Sequence, residues 1–193
     1  RSSVNWMRMP IGGIDRSDAE AYAAWLDQTG RVPGARLCTE QEWERAARGA
    51  DWRDFPHANA VGPQDANLDI TYARDPGSVG PDEVGSFPVS DSPFGIKDMA
   101  GNVFEWVQSS PGSPEAVTRG GGYFYGAVVA LSTNRSTVAA LMQGDPGGAP
   151  TLDAAERVRA AIAKADLVRF IEATGHTPKI MQVSGLAAAQ ATP

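Results

Sequence analysis

The chain has 193 residues, which is the size of one domain or of one domain with an appendage. It is 42% hydrophobic and 21% charged, so it can bury a core, and its net charge of −6 argues against general nucleic-acid binding through a basic surface. The longest uncharged apolar run, residues 123–131, is far shorter than the roughly 20 residues that span a bilayer. The 21 glycines and 14 prolines predict a loop-rich fold with short elements.

Two helices are predicted near the start of the chain. Residues 17–20 have the spacing of a capping box, apolar residues follow at helical intervals, and Gly30 ends the pattern. Residues 39–42 repeat the capping-box spacing, and Gly49 can close this second helix. The first part of the chain therefore predicts two short, capped helices.

The middle of the chain predicts irregular structure and a few short strands. Residues 51–97 are crowded with turn-forming residues and carry their own apolar anchors, such as Leu68, Ile70 and Phe94, so we expect a long ordered loop region with a short strand at 84–87. Residues 98–107 predict a turn followed by an extended segment. Aromatic and β-branched residues favour a strand from Arg119 to Leu131, and we expect Trp106 and Phe124 in the core.

The composition changes after residue 142. Residues 143–152 have the composition of a linker, and 153–174 predict a helix whose apolar residues form one stripe. Such a stripe more often packs on its own domain than on a partner. We therefore divide the chain into a domain at 1–142, a linker at 143–152, and a C-terminal helix with its tail at 153–193.

Cysteine and histidine are scarce. Cys38 is the only cysteine, so the chain can form no internal disulfide and no zinc site with two thiolates. His57 and His176 are the only histidines, which excludes a centre with three histidine ligands within one chain. The chain has no initiator methionine, and we expect it to be a piece of a longer multidomain protein of undetermined compartment.

Four stretches carry a resemblance to a known family. They are residues 18–26, 36–49, 94–107 and 119–122. In this order they resemble the formylglycine-generating enzyme family, also called sulfatase-modifying factor or FGE-sulfatase domains, in the version fused to bacterial serine/threonine kinases. The resemblance implies an α+β, C-type-lectin-like fold with two N-terminal helices and small twisted antiparallel sheets. Relative to the family, the domain at 1–142 is shortened at its N-terminus, and the C-terminal helix is extra.

The resemblance implies a copper-dependent oxidase that converts a substrate cysteine to formylglycine with two cysteines of its own. The matching positions hold Tyr125 and Ala130, and neither a phenol nor a methyl replaces the thiolates that select Cu(I). The related iron-dependent branch needs a histidine triad, which two histidines cannot supply. We therefore expect neither copper nor iron and assign no catalytic residue.

Calcium is the second implication of the resemblance. One ion would be held by two side chains and two backbone carbonyls, those of Asp98, Glu105, Gly101 and Val103. Another site would include Asn67 and Leu68. In both sites calcium would brace a loop rather than take part in chemistry. The alternative is that Asp98 caps its turn and Glu105 pairs with an arginine.

Two functions remain open at this point. The first is a non-catalytic binding or sensory module that takes a peptide or small molecule on the face formed by the 57–97 loops and the 119–131 segment, where Tyr123 and Tyr125 would line a groove. The second is an oxidoreductase of the same family with an altered active site. Stoichiometric copper or iron in the protein would favour the enzyme.

Overall fold

The structure, a computed structural model, describes residues 5–75, 77–110, 113 and 115–137. The predicted linker at 143–152 and the predicted helix at 153–174 lie outside these residues. None of the helices in the described ranges has the length and apolar character needed to cross a membrane.

Helix α1 spans Arg16–Gln28 and starts earlier than the sequence predicted. The capping box is formed by Asp15 and Asp18, whose side chains each accept a hydrogen bond from the backbone N–H of the other. Ser17 donates its hydroxyl hydrogen to the Asp15 carboxylate instead of capping the helix itself. The prediction of a cap at 17–20 was wrong because an aspartate two residues upstream is an equally good cap.

Helix α2 spans Glu40–Arg48 and confirms its prediction in detail. Thr39 and Glu42 form the capping box, and Gly49 follows the helix with a φ of 72°. The helix buries Trp43 and Ala47 against Met99, Val107 and Val117. This contact fixes α2 on the sheet.

The sheet has three antiparallel strands in the order β1-β2-β3. Strand β1 is Glu105–Gln108, β2 is Ala116–Arg119 and β3 is Ser136–Thr137. Glu105 lies opposite Arg119 in the register. Strand β1 confirms the extended segment predicted after the 98–104 turn.

Residues 119–131 do not form the predicted strand. Only Arg119 is in a strand, and the segment continues through turns into a 3-10 helix at Ala127–Ala130. Gly120 and Gly121 have φ values of 85° and 76°, which bend the chain out of the ladder despite the high strand propensity that follows.

Residues 51–97 form the predicted ordered loops, whose one regular element among the described residues is a 3-10 turn at Pro88–Ser90. Another 3-10 turn, Trp6–Arg8, precedes α1. Leu68 anchors the loops, because it is buried among Phe55, Ala66, Ala100 and Ala130. Residues 84–87 form a turn rather than a strand. Ile70 and Phe94 are 38% and 59% exposed, so they do not anchor the loops as expected.

Candidate functional site

The turn before β1 has an unusual backbone. Asp98, Gly101 and Asn102 have φ values of 59°, 75° and 63°, a region that glycine, asparagine and aspartate tolerate better than other residues. The Gly101 N–H donates to the Gly120 carbonyl at 2.7 Å. The turn is therefore held against the glycine segment that follows β2.

Asn102 joins this turn to the long loop region. Its backbone N–H donates to the Asn67 carbonyl at 2.8 Å, and its side-chain Oδ1 accepts from Asn67 Nδ2 at 3.3 Å and from the Asp82 N–H at 2.8 Å. The two residue sets that the resemblance assigned to separate calcium sites thus meet at one junction. We call the contact of residues 67–68 and 98–105 the loop junction.

Asn67 has an unsatisfied polar atom at the loop junction. The residue is 1% exposed, and its Nδ2 donates to the Gly80 carbonyl at 2.8 Å. Its Oδ1 is buried and accepts no hydrogen bond from any residue that the structure describes. An unpaired buried carbonyl oxygen destabilises a fold by about 1–3 kcal/mol, and a cation bound there would satisfy it. The Asn67 side chain therefore fits the role of a calcium ligand.

Asp82 contacts the loop junction, although the sequence did not single it out. Its N–H donates to Asn102 Oδ1, and its carbonyl accepts from Asn102 Nδ2 at 3.2 Å. Its carboxylate accepts a hydrogen bond from the Tyr72 hydroxyl at 2.7 Å. The Asn102 side chain connects Asp82 with Asn67, and this connection is visible only in the folded structure.

Asp98 and Glu105 are carboxylates without a cationic partner. Asp98 Oδ2 accepts from the Gly85 N–H at 2.7 Å, and Glu105 accepts a hydrogen bond from the Trp43 indole N–H. Within the described part of the chain, no lysine, arginine or histidine nitrogen lies within 4.0 Å of either carboxylate. Glu105 thus pairs with an indole rather than with an arginine, and Asp98 bonds a distant loop.

Burial changes the acidity of both carboxyl groups. It raises the pKa of Asp98 above its ordinary value, although the Gly85 N–H and Lys97 oppose the rise. Burial also raises the pKa of Glu105 to about 7, with a further rise from Asp98 and a partial offset from the Trp43 hydrogen bond. Both groups therefore hold their negative charge less readily than exposed carboxylates do.

A cavity of about 490 Å³ opens beside these two carboxylates, between α1, the start of α2 and β1. Its walls include three aromatic residues, a thiol and the two acids, namely Tyr22, Trp43, Trp106, Cys38, Asp98 and Glu105. No group of three or more histidine, cysteine, aspartate or glutamate side chains suited to a metal is found among the described residues. We call this space the carboxylate cavity.

Tyr125 and Ala130, the positions matched to the family's cysteines, have apolar surroundings. The Tyr125 ring meets the Phe104 ring edge-on at 5.3 Å. Ala130 is fully buried in a different cluster, beside Leu68, and a Cβ on Gly121 would lie 3.2 Å from its methyl. A phenol and a methyl offer no soft ligand, so these residues do not suit Cu(I).

The aromatic residues after the glycine segment reach solvent. The rings of Tyr123 and Phe124 are 6.5 Å apart, as are those of Phe124 and Tyr125. Phe124 is 38% exposed, so the expectation that it lies in the core was wrong, because a turn rather than a strand spreads the three rings. Trp106 is 8% exposed and donates to the Ile14 carbonyl, which confirms it as a core residue.

Cys38 lies at the entrance to α2 and lines the carboxylate cavity. Although the residue reaches solvent, the packing around its sulfur raises the pKa of the thiol, and Glu42 and Glu105 raise it further. The thiol therefore stays protonated near neutral pH and is a weak nucleophile and metal ligand.

Comparisons with known proteins show several relatives. The chain is 36% identical over 110 residues to inactive C-alpha-formylglycine-generating enzyme 2 of Bos taurus, covering 53% of this chain and 34% of that protein. It is 37% identical over 106 residues to the formylglycine-generating enzyme of Mycobacterium tuberculosis, covering 51% and 32%. It is also 35% identical over 105 residues to the serine/threonine-protein kinase pkn1 of Chlamydia pneumoniae, covering 53% and 14%.

The solved structure of PvdO from Pseudomonas aeruginosa is similar to this chain, with a TM-score of 0.54 and 27% identity over 67% of this chain and 56% of that one. The chain spans about a third of the length of the first two curated relatives. Residues 3–151 match the family described as the sulfatase-modifying factor enzyme 1-like domain. Because this match covers well over half of the chain, the protein belongs to the FGE-sulfatase domain family.

Proposed function

We propose that this chain is a non-catalytic binding module of its family and that it acts within a longer, multidomain protein. The observation that carries the proposal is the pair of residues at the positions matched to the catalytic cysteines, Tyr125 and Ala130. Neither side chain has the chemistry of a copper thiolate. Cys38 lines a different region of the protein and has a raised pKa, so it does not substitute for the pair.

Two relatives support this proposal. One of them is named as an inactive formylglycine-generating enzyme, so the domain can persist without the family's reaction. Another is a serine/threonine-protein kinase of which the matched region is only 14%, so the domain also occurs inside much larger proteins. Both observations favour a binding role in a composite protein.

The ligand of this module is a peptide or a small molecule that binds beside Tyr123 and Tyr125. Tyr125 is half-buried, which gives its ring a fixed position, and the neighbouring Phe124 ring is exposed. Aromatic side chains held in this way provide large contact surfaces with little loss of conformational freedom on binding. We also propose that the fold is related to that of C-type lectins.

Calcium braces the loop junction in this proposal. One ion would be held by Asp98, Gly101, Val103 and Glu105, and a second by a set that includes Asn67 and Leu68. Calcium takes six to eight oxygen ligands, and the unsatisfied Oδ1 of Asn67 is the observation that supports an ion here. Asp82, whose main chain is hydrogen-bonded to the Asn102 side chain, is a further residue that we propose as an oxygen ligand.

Copper binding by matched variants tests the proposed function. Wild-type protein should bind no Cu(I) in competition with a colorimetric chelator. The double variant Y125C/A130C restores the family's cysteine spacing and should bind one equivalent, whereas Y123C/A130C carries the same number of cysteines at the wrong spacing and should bind more weakly. Circular dichroism of each variant checks that it is folded. Stoichiometric Cu(I) in the wild-type protein would overturn the proposal.

A further inference from the structure

The geometry points to a second binding surface, at the C-terminal end of α2, which takes a peptide segment that carries a carboxylate side chain beside an aromatic one. We call it the arginine–aromatic surface, and it consists of two arginines and two aromatic residues, Arg45, Arg48, Trp52 and Phe94. Of the residues that the structure describes, those lining the depression at its centre include neither Tyr123 nor Tyr125 and none of 67–68 or 98–105. The surface therefore goes beyond the proposed function, since it needs neither the groove nor a metal.

The four side chains form one surface. Arg45 and Arg48 lie three residues apart on α2, so they project from the same side of the helix, and with Trp52 they line a depression of about 310 Å³. The guanidinium carbon of Arg45 lies 5.9 Å from the centre of the Phe94 ring. That of Arg48 lies 5.4 Å from the centre of the Trp52 ring. A Cβ built on Gly49 would lie 3.0 Å from the proline that precedes Phe94, so this loop packs directly against the end of α2.

The fold leaves both aromatic rings of this surface in solvent. Trp52 is 89% exposed and Phe94 is 59% exposed, whereas Trp43 on the same helix is 3% exposed. Tryptophan is highly buried on average in folded proteins, and apolar side chains that are exposed side by side mark interaction sites. Tryptophan and arginine are also the residues that most often dominate the binding energy of an interface. The surface therefore has the composition of an interface centre.

The charge of this surface selects its partner. The depression is lined by four charged residues, two acidic and two basic. Arg48 pairs with Glu44 at 3.1 Å, and Asp51 pairs with Arg53 at 2.6 Å. Arg45 is exposed and forms no ion pair with any residue that the structure describes. One positive charge is therefore left unbalanced here, on a chain whose net charge is −6.

Arg45 also has free hydrogen-bond donors. Its guanidinium lies over the Phe94 ring, and none of its N–H groups donates to a residue in the described part of the chain. The planar guanidinium matches the two oxygens of a carboxylate, and hydrogen bonds between charged groups are among the stronger ones. The exposed rings offer apolar surface to the neighbouring side chain of the peptide. An acidic side chain beside an aromatic one fits this arrangement, whereas a basic segment would add a second positive charge.

The test uses a blocked dipeptide, N-acetyl-glutamyl-phenylalanine amide, as the probe. The glutaminyl peptide is its neutral match and the lysyl peptide its charge-reversed match. Binding is followed through the indole N–H signals of ¹⁵N-labelled protein in a calcium chelator. The glutamyl peptide should shift the Trp52 signal to saturation, whereas the signal of Trp43, which packs against the sheet, should not move. The glutaminyl peptide should bind about tenfold more weakly, which is about 1.4 kcal/mol, and the lysyl peptide should give no saturable shift.

Two variants separate the charge of Arg45 from its shape. R45M removes the charge and keeps a residue that favours a helix, and it should raise the Kd for the glutamyl peptide about tenfold. R45K keeps the charge without the planar fork and should raise the Kd by a smaller factor. R31M is the matched control, because Arg31 is also exposed and lies 4.6 Å from the centre of the Trp25 ring, but that tryptophan is only 7% exposed. R31M should leave the Kd unchanged.

The inference is overturned if the glutaminyl peptide binds as tightly as the glutamyl peptide, or if R45M binds the glutamyl peptide like the wild-type protein. It is also overturned if the peptide does not bind and analytical ultracentrifugation shows a dimer that R45M dissociates, since the surface would then join two copies of this chain. None of these results concerns copper, so the proposed non-catalytic function would stand. Conversely, Cu(I) binding by the wild-type protein would leave the arginine–aromatic surface unaffected.

Discussion

Replacing Gly101 with alanine tests how tightly the loop junction is packed. Gly101 has a φ of 75°, and a Cβ added there would overlap the Asn67 carbonyl oxygen and lie 3.0 Å from Leu68 Cδ2. Gly95 is the matched control, because its φ is also 75° but a Cβ there would meet nothing within 4 Å. The two substitutions share the backbone strain, and only one of them adds a clash.

The magnitudes follow from this geometry. A left-handed alanine is unfavourable by about 1–2 kcal/mol, which is the whole effect expected for G95A. In G101A, overpacking adds about 1–3 kcal/mol. Moving Asn67 away also weakens its 2.8 Å hydrogen bond from the Asn102 N–H, a bond typically worth about 0.5–1.5 kcal/mol. We therefore expect G101A to lose about 2.5–6.5 kcal/mol.

The two variants are compared by urea unfolding, and the slope of the free energy of unfolding against urea concentration should be the same in both. G101A should be less stable than G95A by at least about 1.5 kcal/mol, the smallest sum of the clash and the weakened bond. Equal losses in the two variants would refute the close contact between the 98–105 turn and the 67–68 segment.

Three further predictions concern charged groups. Because burial raises the pKa of folded Glu105 from 4.5 to about 7, the folded state holds more protons than the unfolded state, and stability in chelator should fall as the pH rises through this interval. E105Q should flatten this profile, and an unchanged profile would contradict the assignment. Calcium should raise the melting temperature of the wild-type protein. E105A should lower the melting temperature more in calcium than in chelator, and an equal lowering in the two conditions would contradict the calcium proposal. R119M should lose about 1–3 kcal/mol in urea unfolding, because it removes the buried donor to the Ser132 carbonyl at 3.2 Å, while Glu40 keeps its ion pair with Arg135 at 2.8 Å. R74M, at an exposed pair, should lose less than about 1 kcal/mol.

The helices could be predicted because their signals are local. A capping box and a terminal glycine lie at the ends of the helix that they define, so both ends of α2 were predicted correctly. For helix α1 the sequence analysis predicted a cap at Ser17, but Asp15 forms the cap, because an aspartate caps a helix as well as a serine does. The strand predicted at 119–131 failed because the left-handed glycines, rather than the aromatic residues after them, decide the path of the chain.

The candidate site could be predicted only in part. The resemblance named residues 67–68 and 98–105 separately, but the contact of these two segments depends on hydrogen bonds between residues far apart in the sequence. Asp82 carried no motif, and the carboxylate cavity is formed by side chains from α1, α2 and β1 together. Tertiary contacts of this kind leave no motif of fixed residue spacing in the sequence.

The central claim, that the chain does not perform the family's oxidation, is tested most directly with a cysteine-containing peptide derived from a sulfatase. The peptide is incubated in air with the protein after exposure to copper, and its mass is then measured. We predict that the cysteine stays unconverted, because Tyr125 and Ala130 supply no thiolate. Formation of the formylglycine aldehyde only in the presence of this protein would contradict the claim that it is non-catalytic.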